Sequence, residues 1–325
     1  MNSVLSVFNS ASAPLLGQGT FWLPPPGSEA APAVDSVFYL ILWICVIFFT
    51  LVIATMAFFV IRYRARPGHE AVKTATHSTA LEVTWTIIPL LIVIYIFYRG
   101  FSAYIQMQTG PQNSYEILVK AQKWSWSFTY PNGYNDSDLH VPVDTPVKLI
   151  MTSDDVLHSL SIPSFRVKMD CVPGRYTYAW FTGTKPGTFD LYCTEYCGDS
   201  HYDMKANVVV HDSGGFDGWL EEAANFLEKL PPAEAGEYIY NRRCAQCHSN
   251  DGSAKTGPTF KGIFGKQHAL AGGASVLVDE NYIRESIMDP QAKIRQGYQP
   301  VMPTFKGILS DDEIGYVTEY LKTLK

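Results

Sequence analysis

The chain of 325 residues is 47% apolar and 17% charged, which excludes a disordered polyelectrolyte, and its length predicts two or three domains. Its net charge of −6 argues against a nucleic-acid binder, which needs surplus lysine and arginine to neutralise phosphates. The charge is uneven: net +1 over residues 1–110, −7 over 111–232 and 0 over 233–325, so only the middle third is acidic.

Residues 1–35 contain no lysine or arginine. They lack the basic n-region and clean apolar stretch of a signal peptide, and PLLGQGTFWLPPPGSEAAPAV predicts an extended, exported tail over the outer surface. Ser36–Ile61 is 26 residues without a charge. As a helix it measures roughly 39 Å, enough to cross a hydrocarbon core of about 30 Å. A second apolar run, Val83–Tyr98, extends back to Ser78 if Glu82 is included, and its Pro89 is tolerable in a membrane helix. Between the runs lie Arg62, Arg64, Arg66 and Lys73, so the short loop is expected in the cytoplasm and both termini on the other side. Residues 36–110 therefore read as a transmembrane hairpin in a lipid bilayer. Glu82, at the edge of a span, is either functional or a carboxylate snorkelling to the interface.

Over 111–212 the pattern changes to short β-branched and aromatic runs (EILVKAQKWSWSFTY, TPVKLIMTS, YTYAWFTG, GTFDLYC, KANVVVH) separated by turn signals such as PNG, VPG and TKPG. This spacing predicts an all-β sandwich or barrel. Its last part gathers Cys193, Glu195, Cys197, His201 and Met204 in one short loop. Thiolate, imidazole and thioether are soft or borderline ligands and together select copper. One more imidazole is expected from His158, where a strand runs into a loop; His140 and His211 are expected on the solvent-exposed surface. Two thiolates could bridge a pair of coppers. A Cys193–Cys197 disulfide and a zinc site are the alternatives, the latter disfavoured by the methionine. Cys171 and Cys45 read as small buried residues.

SGGFDGWLEEAANFLEKL predicts a linker helix ending at Leu230, within a linker over 213–232. Then comes Cys244-Ala245-Gln246-Cys247-His248, the attachment sequence of c-type haem, although redox disulfides and zinc knuckles share its spacing. Downstream, TGPTFKGIFGK and GYQPVMPTF resemble class I cytochromes c, all-α domains in which a methionine is the distal iron ligand; the resemblance assigns that place to Met302, with His248 proximal. Pro258 is expected near His248, and His268 on an exposed loop. The last helix should start with a capping box at Ser310 and Glu313 and bury Ile314, Val317, Tyr320, Leu321 and Leu324.

From about residue 21 to 325 the chain resembles subunit II of the haem–copper cytochrome c oxidases, in the variety with a fused cytochrome c over 233–325. The resemblance implies a multidomain protein: a two-helix transmembrane hairpin with outer termini, a cupredoxin-like all-β sandwich holding the binuclear CuA centre, and an all-α class I cytochrome c. It implies that Cys193 and Cys197 bridge the coppers and that His158, His201, Met204 and the Glu195 carbonyl complete their shells. The Glu195 side chain would bind magnesium at the boundary with subunit I. Trp124, in KAQKWSWSFTY, matches the residue that takes the electron from the donor; packing with Trp126 and Tyr130 on one strand face is its alternative. Glu82, in LEVTWTIIP, matches a glutamate serving the K proton channel, and SFRVKMDCVPGR matches as well. The implied function is a relay in a bacterial inner membrane: external donor, such as a cytochrome c or an upstream respiratory complex, to haem c, to CuA, to subunit I, which reduces oxygen and pumps protons beside the other oxidase subunits. A nitric oxide reductase subunit with CuA and a membrane-anchored copper chaperone are the rivals.

Overall fold

The computed structural model describes residues 19–68 and 75–325. Lys73 and the first part of the tail lie outside the described residues.

Helices α1 (Ala31–Arg62) and α2 (Thr79–Gln108) are each long and apolar enough to cross a membrane. Both outrun the expected spans. α1 begins before Ser36 because Pro32 occupies its first turn, where a missing N–H leaves no bond unmade. α2 continues beyond Tyr98, since extending a formed helix fixes one residue per new hydrogen bond. Pro89 sits inside α2 without ending it. At the end of the hairpin nearest the sandwich, Arg99 donates from Nη2 to Ser36 Oγ at 3.0 Å and from Nη1 to Tyr95 Oη at 3.1 Å. Cys45 lies exposed on the surface of α1 rather than buried.

The described part of the tail does more than lie over the surface. Gly27 N donates to Ser164 O at 2.8 Å, Glu29 N to Thr182 O at 3.0 Å, and Ser28 between them is buried. Beyond it, the Arg166 guanidinium grips the Asp35 carboxylate with two bonds, Nε–Oδ1 at 2.7 Å and Nη2–Oδ2 at 2.9 Å, fixing α1 to the β-domain.

That domain holds β1 (Tyr115–Gln122), β2 (Ser125–Thr129), β3 (Asn135–Asp136), β4 (Leu139–Pro142), β5 (Pro146–Ser153), β6 (His158–Ile162), β7 (Val167–Cys171), β8 (Thr177–Thr182), β9 (Gly187–Cys193) and β10 (Lys205–His211). They form two five-stranded sheets in the orders β3-β2-β1-β5-β8 and β4-β10-β9-β6-β7. The β1–β5 and β10–β4 pairs are parallel and the rest antiparallel. In β5 the side chains alternate strictly, so Val147, Leu149 and Met151 point inward, as the two-residue repeat of a strand requires. They meet Ile117, Phe128, Leu160, Ile162, Phe181 and Leu191 between the sheets. The β-run EILVKAQKWSWSFTY over Glu116–Tyr130, with Trp124, Trp126 and Tyr130 expected on one strand face, breaks at Lys123–Trp124 into the β1–β2 hairpin.

The linker helix α3 (Gly215–Ala224) stops before Leu230, and a single 3-10 turn over Leu227–Lys229 follows. α4 (Pro232–Ile239), α5 (Glu280–Met288) and α6 (Asp311–Thr323) enclose a second core of Ile239, Val278, Ile283, Ile287, Phe305, Val317 and Leu321. A short hairpin, β11 (Gln267–Ala269) with β12 (Ser275–Leu277), sits beside them. Ser310 and Glu313 form the expected capping box of α6, and Leu324 falls just past its end, half-buried.

Candidate functional site

Two groups of side chains lie on either side of the boundary between the β-domain and the helical domain. The first is built on the ends of β6 and β9 and on the loop from Cys193 to Met204. Pairing of Leu160 with Cys193 brings β6 beside β9, which sets His158 next to the cysteines. His158, Cys193 and Cys197 are all buried, and their ligand atoms lie within 4.8 Å of one another. Cys193 Sγ is 3.8 Å from His158 Nδ1 and 3.8 Å from Cys197 Sγ, and its thiol points at the Glu195 carbonyl, 3.3 Å away. Cys197 Sγ in turn lies 3.4 Å from His201 Nδ1 and 3.8 Å from Met204 Sδ. The thiols are free, so the disulfide alternative is not what the structure contains. Two thiols, two imidazoles, a thioether and a carbonyl thus converge, a donor set suited to copper and unsuited to magnesium or calcium.

The surroundings prepare these groups. His158 Nε2 lies 2.8 Å from Asp155 Oδ1, which turns Nδ1 toward the sulfurs. Asp155 also accepts from Lys123 N at 2.7 Å and Val156 N at 2.6 Å, and these bonds with His158 hold its carboxyl below the usual range despite burial. Burial raises both thiols, but hydrogen bonding with His158 brings Cys193 down to about 6, while burial and the charge on Cys193 push Cys197 up to about 12. Asp155 was not found from the sequence; its only signal is its place three residues before His158.

Trp124 lies in the turn before β2, not on the strand, and is buried. Its Nε1–H donates to Cys197 O at 3.2 Å. Gly198 has φ +118°, and a Cβ there would stand 3.1 Å from the Trp124 ring, so glycine meets both the backbone and the space requirement. Trp126 packs its edge against His158 with ring centroids 6.4 Å apart.

The second group lines a cavity bounded by the Arg243–His248 turn, α5, the loop that carries Met302, and α6. A widened turn over Tyr240–Cys244 continues α4 into the Cys-Ala-Gln-Cys-His sequence. Cys244, Cys247, His248 and Met302 all face this cavity, with Phe260, Ile263, Ile283, Ile287 and Leu321 among its walls. His248 Nδ1–H donates to Pro258 O at 2.7 Å, freeing Nε2, and its ring stacks on Phe260 at 4.4 Å. At Gly257 a Cβ would sit 2.5 Å from the His248 ring, so only glycine allows that approach. An apolar cavity with two thiols at one edge, an imidazole and a thioether fits a covalently attached haem. His268 corrects an expectation: it lies on β11, half-buried, and faces the same cavity. Lys123, Trp124 and Ser125 of the β-domain also belong to the cavity wall, so Trp124 touches both groups.

His140 and His211 are half-buried and paired rather than solvent-exposed. The parallel β4–β10 pairing brings them together, Nδ1 to Nε2 at 2.9 Å, and Trp219 of α3 stacks on His140 at 3.8 Å. Burial lowers both, His140 to about 4. Cys171 is buried on β7, its thiol pushed up to about 12 by burial. Far from both groups, Glu82 lies in the first turn of α2, with His77 Nδ1 at 3.3 Å from its Oε1.

Residues 18–102 match the family model described as cytochrome c oxidase subunit II, transmembrane domain, and 134–212 match the periplasmic domain of the same subunit. Residues 233–325 match cytochrome c. Among curated relatives, cytochrome c oxidase subunit 2 of Alkalihalophilus pseudofirmus is 30% identical over 93% of this chain and 90% of its own length. Alternative cytochrome c oxidase subunit 2 of Bradyrhizobium diazoefficiens is 32% identical over 59% of this chain and 81% of its own. Cytochrome c oxidase subunit 2 of Thermostichus vulcanus is 30% identical over 62% and 78% respectively.

Proposed function

The chain belongs to the cytochrome c oxidase subunit II family, in a form with a C-terminal cytochrome c domain, and from that premise we propose the roles of its residues in electron delivery. It is a membrane-anchored, electron-receiving part of an oxidoreductase complex. Cys193 and Cys197 would hold a pair of coppers, with His158, His201, Met204 and the Glu195 carbonyl completing the donor set. Cys244 and Cys247 would attach haem c, and His248 and Met302 are the residues that would hold its iron. When bound, the copper pair and the haem each take up and release one electron, connecting an external donor to subunit I, which reduces oxygen and pumps protons.

The protein's own groups position and insulate. Asp155 fixes the His158 ring and, through Lys123 N, the turn that carries Trp124. Trp124 serves as the bridge: its N–H is tied to the carbonyl of a copper-binding cysteine while its ring forms part of the haem cavity wall. The buried apolar walls exclude water, which lowers the reorganisation that accompanies a change of charge. Glu82 serves the proton channel of subunit I from the inner end of α2, and the Glu195 side chain is available for magnesium at that subunit's boundary. The chain sits in a bacterial inner membrane with both termini outside. It divides into the tail 1–35, hairpin 36–110, copper domain 111–212, linker 213–232 and cytochrome domain 233–325.

The observation that carries this proposal is the convergence of His158, Cys193 and Cys197 in one buried cluster beside His201 and Met204. Metal analysis of the full chain, matured with haem and supplied with copper, should give two coppers and one haem iron per chain. One copper, or zinc, would overturn the binuclear assignment.

A further inference from the structure

The two domains are joined by more than the linker. Arg242 and Arg243, immediately before the first haem-attachment cysteine, reach out of the cytochrome domain into the copper domain. Arg242 Nη2 binds the Asp136 carboxylate and lies 3.5 Å from Asp138 Oδ2. Arg243 donates from Nη1 to Trp126 O at 3.2 Å and from Nη2 to Asn135 Oδ1 at 2.5 Å.

The acceptors are held ready by their own domain. Asn135 spends its amide nitrogen on Ser127 Oγ at 2.6 Å and Thr129 Oγ1 at 2.7 Å, which turns its oxygen toward Arg243. Asp136 takes the Tyr134 hydroxyl at 2.8 Å and Asp138 N at 3.0 Å, and its side chain is only 4% exposed. In the docked arrangement this buried carboxylate is paired with a guanidinium from the other domain, and removing that guanidinium while the domains stay docked would leave the charge unpaired at a cost. Around the clamp, Cys247 and Val301 pack against the core of the copper domain, and Gln246 Nε2 donates to Asp203 O at 3.4 Å. Both segments flanking the cavity, the cysteine turn and the Met302 loop, therefore rest on the domain that presents Trp124.

We propose that Arg242 and Arg243 are positioning residues that clamp the cytochrome domain to β2 and β3, keeping its cavity against Trp124. This rests on the proposed function for its purpose, though not for its geometry. The transfer it serves moves one electron from the reduced haem to the oxidised copper pair, with no proton or bond change. A separate soluble cytochrome could not reach Trp124 while the clamp is closed, because the chain's own domain occupies that face.

The test compares the full chain with the Arg242→Ala/Arg243→Ala double variant, an Arg242→Lys variant and Asp136→Asn. Hydrogen exchange of the backbone over 125–137 and 240–248, measured without copper, should accelerate about tenfold or more in the double variant, the factor expected for losing charge-assisted hydrogen bonds. Exchange of β5 and β9, and the haem spectrum, should stay unchanged. In the loaded chain, the haem-to-copper transfer rate after flash reduction of the haem should fall by a similar factor, with Arg242→Lys retaining most of it. Asp136→Asn should loosen the same peptides from the opposite side, so the idea survives if the double variant fails to fold. Unchanged exchange together with an unchanged transfer rate would overturn the clamp. A wild-type chain that protects these peptides but binds no copper pair would instead defeat the proposed function and leave the clamp standing.

Discussion

The Asp35–Arg166 pair offers the sharpest energetic test of how the copper domain is held to the membrane hairpin. Its side chains are 3% and 6% exposed, and the guanidinium also donates to Pro163 O at 2.6 Å and Pro24 O at 2.8 Å. Arg166 adopts a left-handed backbone at φ 60°, which a side chain would not choose without compensation. Removing one partner leaves a buried charge unpaired, so Arg166→Ala or Asp35→Ala should each cost about 3–5 kcal/mol. For a domain of this size that lowers the melting temperature by roughly 12 °C or more. Replacing both by apolar residues of similar volume, Asp35→Leu with Arg166→Met, removes the charges and their desolvation together, and should recover most of the loss. The assay is thermal unfolding of the detergent-solubilised full chain, followed by near-ultraviolet circular dichroism of the aromatic β-domain core. Single variants within about 1 kcal/mol of wild type would show that water reaches the pair, as it does for surface ion pairs. Additive losses in the double variant would refute the reasoning outright.

Met302→Ala should abolish the low-spin spectrum of His/Met-ligated haem while leaving covalent attachment intact; an unchanged spectrum would remove Met302 from the iron. The His140–His211–Trp219 stack gives a pH prediction. Burial lowers His140 to about 4, against an ordinary value of 6.5, with Asp136 and Asp138 opposing the shift and His211 and Arg242 adding to it. The unfolded chain therefore takes up this proton first. The stabilisation is whole above pH 6.5 and is lost as pH falls toward 4, by up to about 3 kcal/mol. Unfolding measured across that window should show a smaller loss in a His140→Gln variant than in wild type; equal slopes would exclude His140 as the source.

What the sequence disclosed is what lies close together in it. The spans follow from uncharged length, and the copper loop from five donor residues between Cys193 and Met204. The capping box at Ser310 needs only four residues to be seen. His158 was within reach because it follows a strand-like run closely, although the structure makes it the first residue of β6. What stayed hidden joins distant segments. Asp136 and Arg242 are 106 residues apart, and nothing in either stretch names the other. His140 and His211 looked like surface residues because parallel pairing of β4 with β10 leaves no local trace, unlike a hairpin with its turn. The break at Lys123–Trp124 was missed because no glycine or proline marks it, and the aromatic run on both sides fits one strand equally well.

That break matters because it decides what Trp124 can do. On a continuous strand with Trp126, its ring would be committed to the sheet core, and packing would account for it entirely. In the turn, the same ring belongs to the buried core, to the carbonyl of Cys197 and to the cavity of the neighbouring domain at once. Packing and electron transfer are then not competing explanations, since a rigidly packed indole is what a fixed bridge between two centres requires. The tether adds a constraint that a free donor lacks. α3 is anchored by Trp219 and Phe216 against Tyr130 and His211, so only the short stretch from Asn225 to Pro231 separates the anchored helix from α4. Seven extended residues span at most about 25 Å, so an undocked cytochrome domain stays within a domain's width of its dock and meets it again at high effective concentration. The linker supplies proximity, and the arginine pair has only to choose the orientation.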